Sequence, residues 1–439
     1  MLLLWRVVRK HRSSSRRVYP SGADGGDEPN TVRHDICACP LTAEVAVGGR
    51  EMEILKQRES AEPKLQGLKY FRMLGPLLQR LHDAGTQRDR AGNRSLFLDH
   101  YAALLVLLYV NPTLSTLRSL EKASGLRRVR RAIGCTRVSL SSLSEAARVF
   151  DADLLQPLVA ELAGRLPSQR CPREEVWLRE LTAVDGTLLH ALPKMAWALW
   201  VDDQHRAAKV HLHFEILKGA PVQATITGGN ANEKEVLHGQ LQSGRFYVLD
   251  AGYVKYELFQ AILDHGSSFV VRLGTQPLEE ALEERPLTEA ARQAGVVSDR
   301  RVRLGSASRG GVLRQLLRIV AVVIQGRDGP QTLRLVTDRL DLPAELVALA
   351  YRYRWQIELF FRWFKCVLGC RHLVSHSANG VRLQVYVALI VSLLISLWTG
   401  HKPTKRTLEM IQHYLNGWAE WDELRAHIQS LPKHGELRS

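Results

Sequence analysis

Residues 351–365 read YRYRWQIELFFRWFK, and the spacing inside this run decides how the rest of the chain is read. On a helix, at about 100° per residue, place Tyr351 at 0°. Arg354 then falls at about −60°, Glu358 at about −20° and Lys365 at about −40°. Ile357, Phe360, Phe361, Phe364 and Leu368 occupy the opposite arc, from roughly 180° to 280°. One helix, expected from Ala348 to Leu368, therefore anchors by an aromatic stripe. Its other side presents a phenol, a guanidinium, a carboxylate and an ammonium together. An amphipathic helix with an Arg354–Glu358 ion pair one turn apart would explain the charges. It would not explain why Tyr351 and Lys365 align with them.

Two aspartates upstream give that surface a chemistry. Asp185 in AVDGT and Asp250 in YVLDAGY each follow an apolar, strand-like run and precede a glycine-containing turn. Either alone reads as a turn residue, because Asp-Gly commonly closes a strand. Two strand-end aspartates and a helical glutamate can, however, share hard divalent cations through oxygen ligands. A pair of such ions about 3.5–4 Å apart suits an in-line displacement at phosphorus. Arg354, as a fork, and Lys365, as a point charge, would hold a phosphodiester backbone beside the glutamate. Metal, carboxylates and cations together describe phosphoryl transfer on nucleic acid.

Composition agrees. The 439 residues carry 60 Lys+Arg against 45 Asp+Glu, a formal net charge of +15, which favours a polyanionic partner, nucleic acid before an anionic membrane. Hydrophobic residues at 45% exclude a wholly disordered chain. Six cysteines in a chain this long make no disulfide scaffold, so a reducing, cytoplasmic setting is expected. Arg6, Arg9 and Lys10 interrupt the apolar start too soon for a signal-peptide core. Leu383–Gly400 is the longest uncharged run, but its serines, Gln384 and Thr399 leave it short of a bilayer span, and a buried core helix is expected.

Along the chain, residues 1–65 read as a flexible extension, and Cys37 and Cys39 there lack the second pair a zinc site needs. Residues 66–175 are helical, with Leu98, Tyr101, Leu104, Leu105 and Leu108 on one face and Asn111-Pro112 ending that helix. The densest basic stretch follows: Arg118, Lys122, Arg127, Arg128, Arg130, Arg131 and Arg137, suited to phosphate contact. Residues 176–274 turn to strands joined by short turns, the pattern of a mixed α/β domain with a central sheet. An acidic helical piece (LEEALEERPLTEAARQAG) opens a β-rich insertion, 275–345. The long helix follows within 346–400, and 401–439 is a helical tail. Asp202 and Asp203 are expected in a turn. Cys366, Cys370 and His372 read as packing rather than ligands.

In these residues the chain resembles the DDE transposases of bacterial insertion sequences. In particular it resembles the group whose Tyr-Arg-Glu-Lys signature has two, three and six residues between its members, as between Tyr351, Arg354, Glu358 and Lys365. The resemblance spans about 66–400, including AGNRSLFLDHYAALLVLLYVNPTLSTLR and KVHLHFEILKGAPVQATIT. It implies an α/β fold: an RNase H-like catalytic core with the β-rich insertion, a helical N-terminal DNA-binding region and a helical C-terminal tail. It implies Asp185, Asp250 and Glu358 as catalytic ligands of Mg²⁺ or Mn²⁺, two ions together. Tyr351, Arg354 and Lys365 would contact element-end DNA, and Arg127, Arg128, Arg130 and Arg131 are expected to bind DNA by charge. The implied reaction is strand cleavage at an element end, then attack of the freed 3′-OH on target DNA. A homodimer on paired DNA ends, acting in the bacterial cytoplasm without a membrane, goes with it. Relatives that hold a flipped base use a Trp in the insertion, and no Trp lies between Gly274 and Ala350. The alternatives are a catalytically inactive DNA-binding descendant and an RNase H-like nuclease that cuts without joining.

Overall fold

Strand β1 (Leu181–His190) is the axis on which the fold is built. In the computed structural model the described residues are 69–433, except 87–93, 168–176, 191–194, 201, 275–278, 307–310, 314, 327–328 and 370–372. All lie within the unit Glu62–Ser439. The expected extension 1–65 with Cys37 and Cys39, and the pair Cys370 and His372, lie outside the described residues.

Strand β2 (Leu199–Trp200) pairs antiparallel with β3 (Asp202–Glu215), whose first residues are Asp202 and Asp203. Strand β4 (Ala220–Gly228) pairs antiparallel with β3, and β3 antiparallel with β1. On its other edge β1 runs parallel to β5 (Phe246–Leu249), which runs parallel to β6 (Ser268–Leu273). The central order is thus β4-β3-β1-β5-β6. The parallel pairs are buried on both faces, and β5 is a continuous apolar run as such strands require.

The sheet does not stop at β6. Strands β7 (Glu279–Glu284), β8 (Val296–Ser306), β9 (Gly311–Val312), β10 (Leu317–Gly326) and β11 (Gly329–Thr337) extend it, with β11 pairing antiparallel to β6. The order continues β11-β10-β8-β7, in one sheet of eleven strands. Residues 279–284, expected to be helical, form strand β7 instead. Their helix-favouring composition is overridden by the facing strand: Glu280 and Glu283 sit opposite Arg303 and Arg301 and pair with them at 3.2 and 2.9 Å. A charged outermost strand also discourages pairing with other chains. Arg318 and Asp299, both buried, hold β10 to β8 through two 2.6 Å hydrogen bonds.

Helices cover both faces. Successive residues of β1 and β5 point to opposite sides, so Leu181, Ala183, Phe246 and Val248 join one core while Val184, Tyr247 and Leu249 join the other. Ahead of the sheet run α1 (Lys69–Thr86), α2 (Leu98–Val110), α3 (Leu117–Ser124), α4 (Arg127–Ile133), α5 (Leu140–Val149) and α6 (Gln156–Gly164). Helix α2 was expected to bury one face. It buries every residue from Tyr101 to Val110, because neighbouring helices surround it. Two helices cover the second core, α7 (Glu233–His238) and α8 (Tyr256–Asp264), and α9 (Glu289–Gln293) precedes β8.

After β11 come α10 (Ala344–Tyr353), α11 (Trp355–Leu368), α12 (Ala378–Thr399), α13 (Lys405–Leu415) and α14 (Trp421–Ser430). Helix α12 is long and apolar enough to cross a membrane, yet it is buried without a break from Leu383 to Ser396. Its polar groups are satisfied internally. Gln384 accepts the Val374 N–H at 2.8 Å and donates to the Gly380 carbonyl at 3.0 Å. Ser392 and Ser396 donate to carbonyls one turn back. It is a core helix.

Candidate active site

The expected long helix divides at Arg354. The Arg354 N–H bonds the Tyr351 carbonyl and the Ile357 N–H bonds the Arg354 carbonyl, three-residue closures that tighten the chain locally. Arg354 itself keeps right-handed helical dihedrals, so the faces of α10 and α11 stay nearly in phase. Ile357, Phe360, Phe361 and Phe364 are buried in the core that also takes Leu181 and Ala183 of β1. The aromatic stripe thus lays α11 across the β1 face to which Asp185, two residues past Ala183, also points.

Asp185 is not at the end of its strand, as expected from AVDGT. Strand β1 runs five residues further, with Asp185 opposite Leu212 and Gly186 opposite His211. Gly186 has another reason to lack a side chain: a Cβ there would lie 2.7 Å from Glu233 Oε1 and 3.2 Å from Lys209 Cε. Asp250 does stand where expected, directly after Leu249 of β5 and before a single 3₁₀ turn, Ala251–Tyr253.

Arg354 joins two of the three acids. One guanidinium nitrogen is 2.7 Å from Glu358 Oε1 and the other 3.5 Å from Asp185 Oδ2. Tyr351, whose ring lies near that guanidinium, donates its hydroxyl to Asp250 Oδ1 at 3.2 Å. The structure therefore brings Asp185, Asp250, Glu358, Tyr351 and Arg354 together. Lys365 is half-buried two turns beyond Glu358, about 10 Å along the axis. Arg127, Arg128, Arg130 and Arg131 are exposed on α4, where no described carboxylate pairs with them.

Burial dominates the electrostatics. Desolvation pushes the Asp185 carboxyl up to about 6, against the Gly186 N–H and Arg354, while Glu233 and Glu358 add to the rise. The Tyr351 hydroxyl is pushed up to about 12 by burial, so it remains a donor to Asp250. Burial works against the charge of Arg354, but Tyr351 and the acids around it outweigh that and raise its pKa. His211 and His213 are pushed down to about 4, chiefly by burial, and stay neutral; His211 bonds the Thr227 hydroxyl at 2.9 Å.

Three groups were missed by sequence reasoning. Arg272, at the end of β6, holds Asp250 Oδ1 at 3.1 Å. Glu233, at the start of α7, pairs with Lys209 of β3 at 2.6 Å beside Gly186. The Tyr253 hydroxyl is buried without a hydrogen-bond partner, and burial, Glu233, Asp185 and Asp250 all raise its pKa. Arg272 carries no local signature, while Tyr253 closes the YVLDAGY run around Asp250. The close approach at the glycine of AVDGT was the one sequence trace of Glu233.

The donor set fits hard divalent cations: carboxylate oxygens, one of them desolvated, beside an orphaned hydroxyl that an oxygen ligand could satisfy. The oxygens of Asp185, Asp250 and Glu358 do not all lie within 4.8 Å of one another. The Arg354 guanidinium stands between Asp185 and Glu358 as their present counter-charge.

Comparison with known proteins gives the same direction. Residues 177–394 match the family model described as the transposase DDE domain. A protein of Sinorhizobium fredii named as a transposase is 29% identical over 54% of this chain and 65% of its own length. One of Geobacillus stearothermophilus, named for transposition of an insertion sequence element, is 24% identical over 62% of this chain and 71% of its own. A third, of a Synechocystis strain and also named for an insertion sequence, is 21% identical over 72% and 87%. The chain thus spans a little under two thirds of the first of these relatives.

Proposed function

As this chain belongs, through residues 177–394, to the DDE transposases of insertion sequences, we propose that it cuts DNA at element ends and joins the freed 3′-OH to target DNA. Asp185, Asp250 and Glu358 are its catalytic acids. The observation that carries this reading is the Arg354 fork: acids from a mid-sheet strand and a helix share one guanidinium, and Tyr351 ties in the third. The strand order β4-β3-β1-β5-β6 supports an RNase H-like core, with β1 contributing Asp185 and the end of β5 contributing Asp250.

Asp185, Asp250 and Glu358 would hold Mg²⁺ or Mn²⁺, two ions in the full site. Ions held there would supply Lewis acidity at the scissile phosphate. The protein's own groups do the positioning. Arg272 and Tyr351 fix the Asp250 carboxylate, and Tyr351 keeps its proton because its hydroxyl is buried. Arg354 neutralises Asp185 and Glu358 in the free protein. When DNA arrives, its fork is free to move to a phosphate, which a bidentate guanidinium binds well. Lys365 meets the backbone further along α11, and Arg127, Arg128, Arg130 and Arg131 add salt-sensitive affinity from the N-terminal helices, which form the DNA-binding region. Two copies act on paired ends.

The test is a DNA fragment carrying the inverted repeats that bracket the gene, incubated with the protein, Mg²⁺ and a target plasmid. Nicking at the repeat and covalent joining to the plasmid are expected. Cutting without joining supports the nuclease reading, and metal-independent binding without cutting supports the inactive descendant.

A further inference from the structure

The helices ahead of the sheet hold a second group of metal-competent side chains that phosphoryl transfer does not use. His82 lies near the end of α1, and Asp99 and His100 lie in the first turn of α2. Among the described residues, this group alone brings three ligand atoms within 4.8 Å of one another. His82 Nδ1 is 3.2 Å from each Asp99 oxygen, and His100 Nε2 is 3.6 Å from Asp99 Oδ2.

Those separations suit a shared ion. Ligands bonded at 2.0–2.1 Å to a tetrahedral zinc stand about 3.3–3.4 Å apart. His82 Nδ1 hydrogen-bonds both Asp99 oxygens, while His100 Nε2, at 3.6 Å, stands beyond a hydrogen bond and within ion-pair reach. The nitrogen of His100 that faces Asp99 is Nε2; its Nδ1, on the far side of the ring, is buried and has no hydrogen-bond partner. Both imidazoles are held by the ring of Phe97, 4.7 Å from His82 and 5.7 Å from His100. The positive end of α2 opposes a cation, and the Asp99 carboxylate supplies the compensating charge.

We propose that His82, Asp99 and His100 form a zinc site that fastens α1 to α2, with water in the fourth position. Two nitrogen donors favour zinc, cobalt or nickel over magnesium, so this site and the three-acid site would load different ions. Side chains of Asp99 and His100 are nearly covered while His82 is about one-third exposed, so the ion enters past His82.

The experiment uses the whole chain stripped with EDTA, then titrated with Co²⁺ in excess Mg²⁺, with Zn²⁺ as competitor. One equivalent of Co²⁺ with visible absorption, displaced by Zn²⁺, is expected in the unaltered protein and equally in Asp185→Asn and Glu358→Gln. His82→Ala and His100→Ala should abolish it. Zn²⁺ at a hundredfold excess over Kd should raise the melting midpoint by roughly 3 °C only where both histidines remain. His82→Gln and His100→Gln, checked for fold by circular dichroism before metal is added, give the same reading if the alanine variants do not fold. Absence of that equivalent from the unaltered protein, or its survival in the histidine variants, overturns the proposal.

Discussion

Replacing Asp185 by asparagine should make the metal-free protein more stable while removing its activity. In the fold the Asp185 carboxyl is pushed from its ordinary 3.8 up to about 6, mainly by desolvation. A rise of that size corresponds to about 3 kcal/mol between the ionised and neutral forms. The folded state then holds its proton more tightly than the unfolded chain does. Stability is therefore lost as pH rises from about 4 to about 6, and the full deficit persists above that range. Asp185→Asn carries no charge and retains an oxygen for the Gly186 N–H, which now donates to Asp185 Oδ1 at 2.8 Å. For a chain of 439 residues, up to about 3 kcal/mol amounts to roughly 3 °C in melting midpoint. Scanning calorimetry in EDTA should show Asp185→Asn melting higher at pH 8 and level with the parent at pH 4. Mg²⁺ should narrow the gap at pH 8 by stabilising the parent. A variant that melts at or below the parent at pH 8, or by a margin unchanged with pH, would refute the assignment of Asp185 as a desolvated, cation-seeking acid.

Asp250→Asn and Glu358→Gln, with Asp185→Asn, should each lower cleavage of a cognate end below detection while a gel-shift measurement finds DNA affinity largely retained. Gly186→Ala should destabilise by about 1–3 kcal/mol, because its methyl would be forced against Glu233 and Lys209; adding Glu233→Ala should restore most of that in a urea titration. Exchanging Arg127, Arg128, Arg130 and Arg131 together for alanine should weaken binding to all sequences alike. It should flatten the dependence of log affinity on log salt by as much as about 3.6, at about 0.9 per phosphate contact. Asp299→Ala leaves the buried Arg318 charge without its carboxylate, with only the Arg339 and Leu342 carbonyls among the described residues to accept from it, so it should cost about 3–5 kcal/mol by chemical denaturation.

The run from Tyr351 to Lys365 was legible because a helix turns spacing directly into faces. Tyr351, Arg354 and Glu358 come together with Asp185 and Asp250, and the aromatic stripe is buried. The length of α12 and its burial were equally readable, since a long apolar run with internally satisfied serines has few other places to go. What the sequence hid was set by pairing. The segment of Glu279–Glu284 favours a helix locally, and only the arginines of β8 opposite make it a strand. Asp185-Gly186 looks like a turn because local sequence cannot show a flanking strand that holds both residues extended. Arg272 and Glu233 reach the site from elements distant in sequence, with no spacing to announce them.

Crystals of the protein with its end DNA, soaked in Mn²⁺ and measured at the manganese absorption edge, would show whether the three acids share their ions. Anomalous peaks are expected between the carboxylates of Asp185, Asp250 and Glu358, with the Arg354 fork drawn off them and onto a phosphate. Manganese bound elsewhere, with Arg354 still clasping Asp185 and Glu358 while DNA occupies the site, would contradict that sharing.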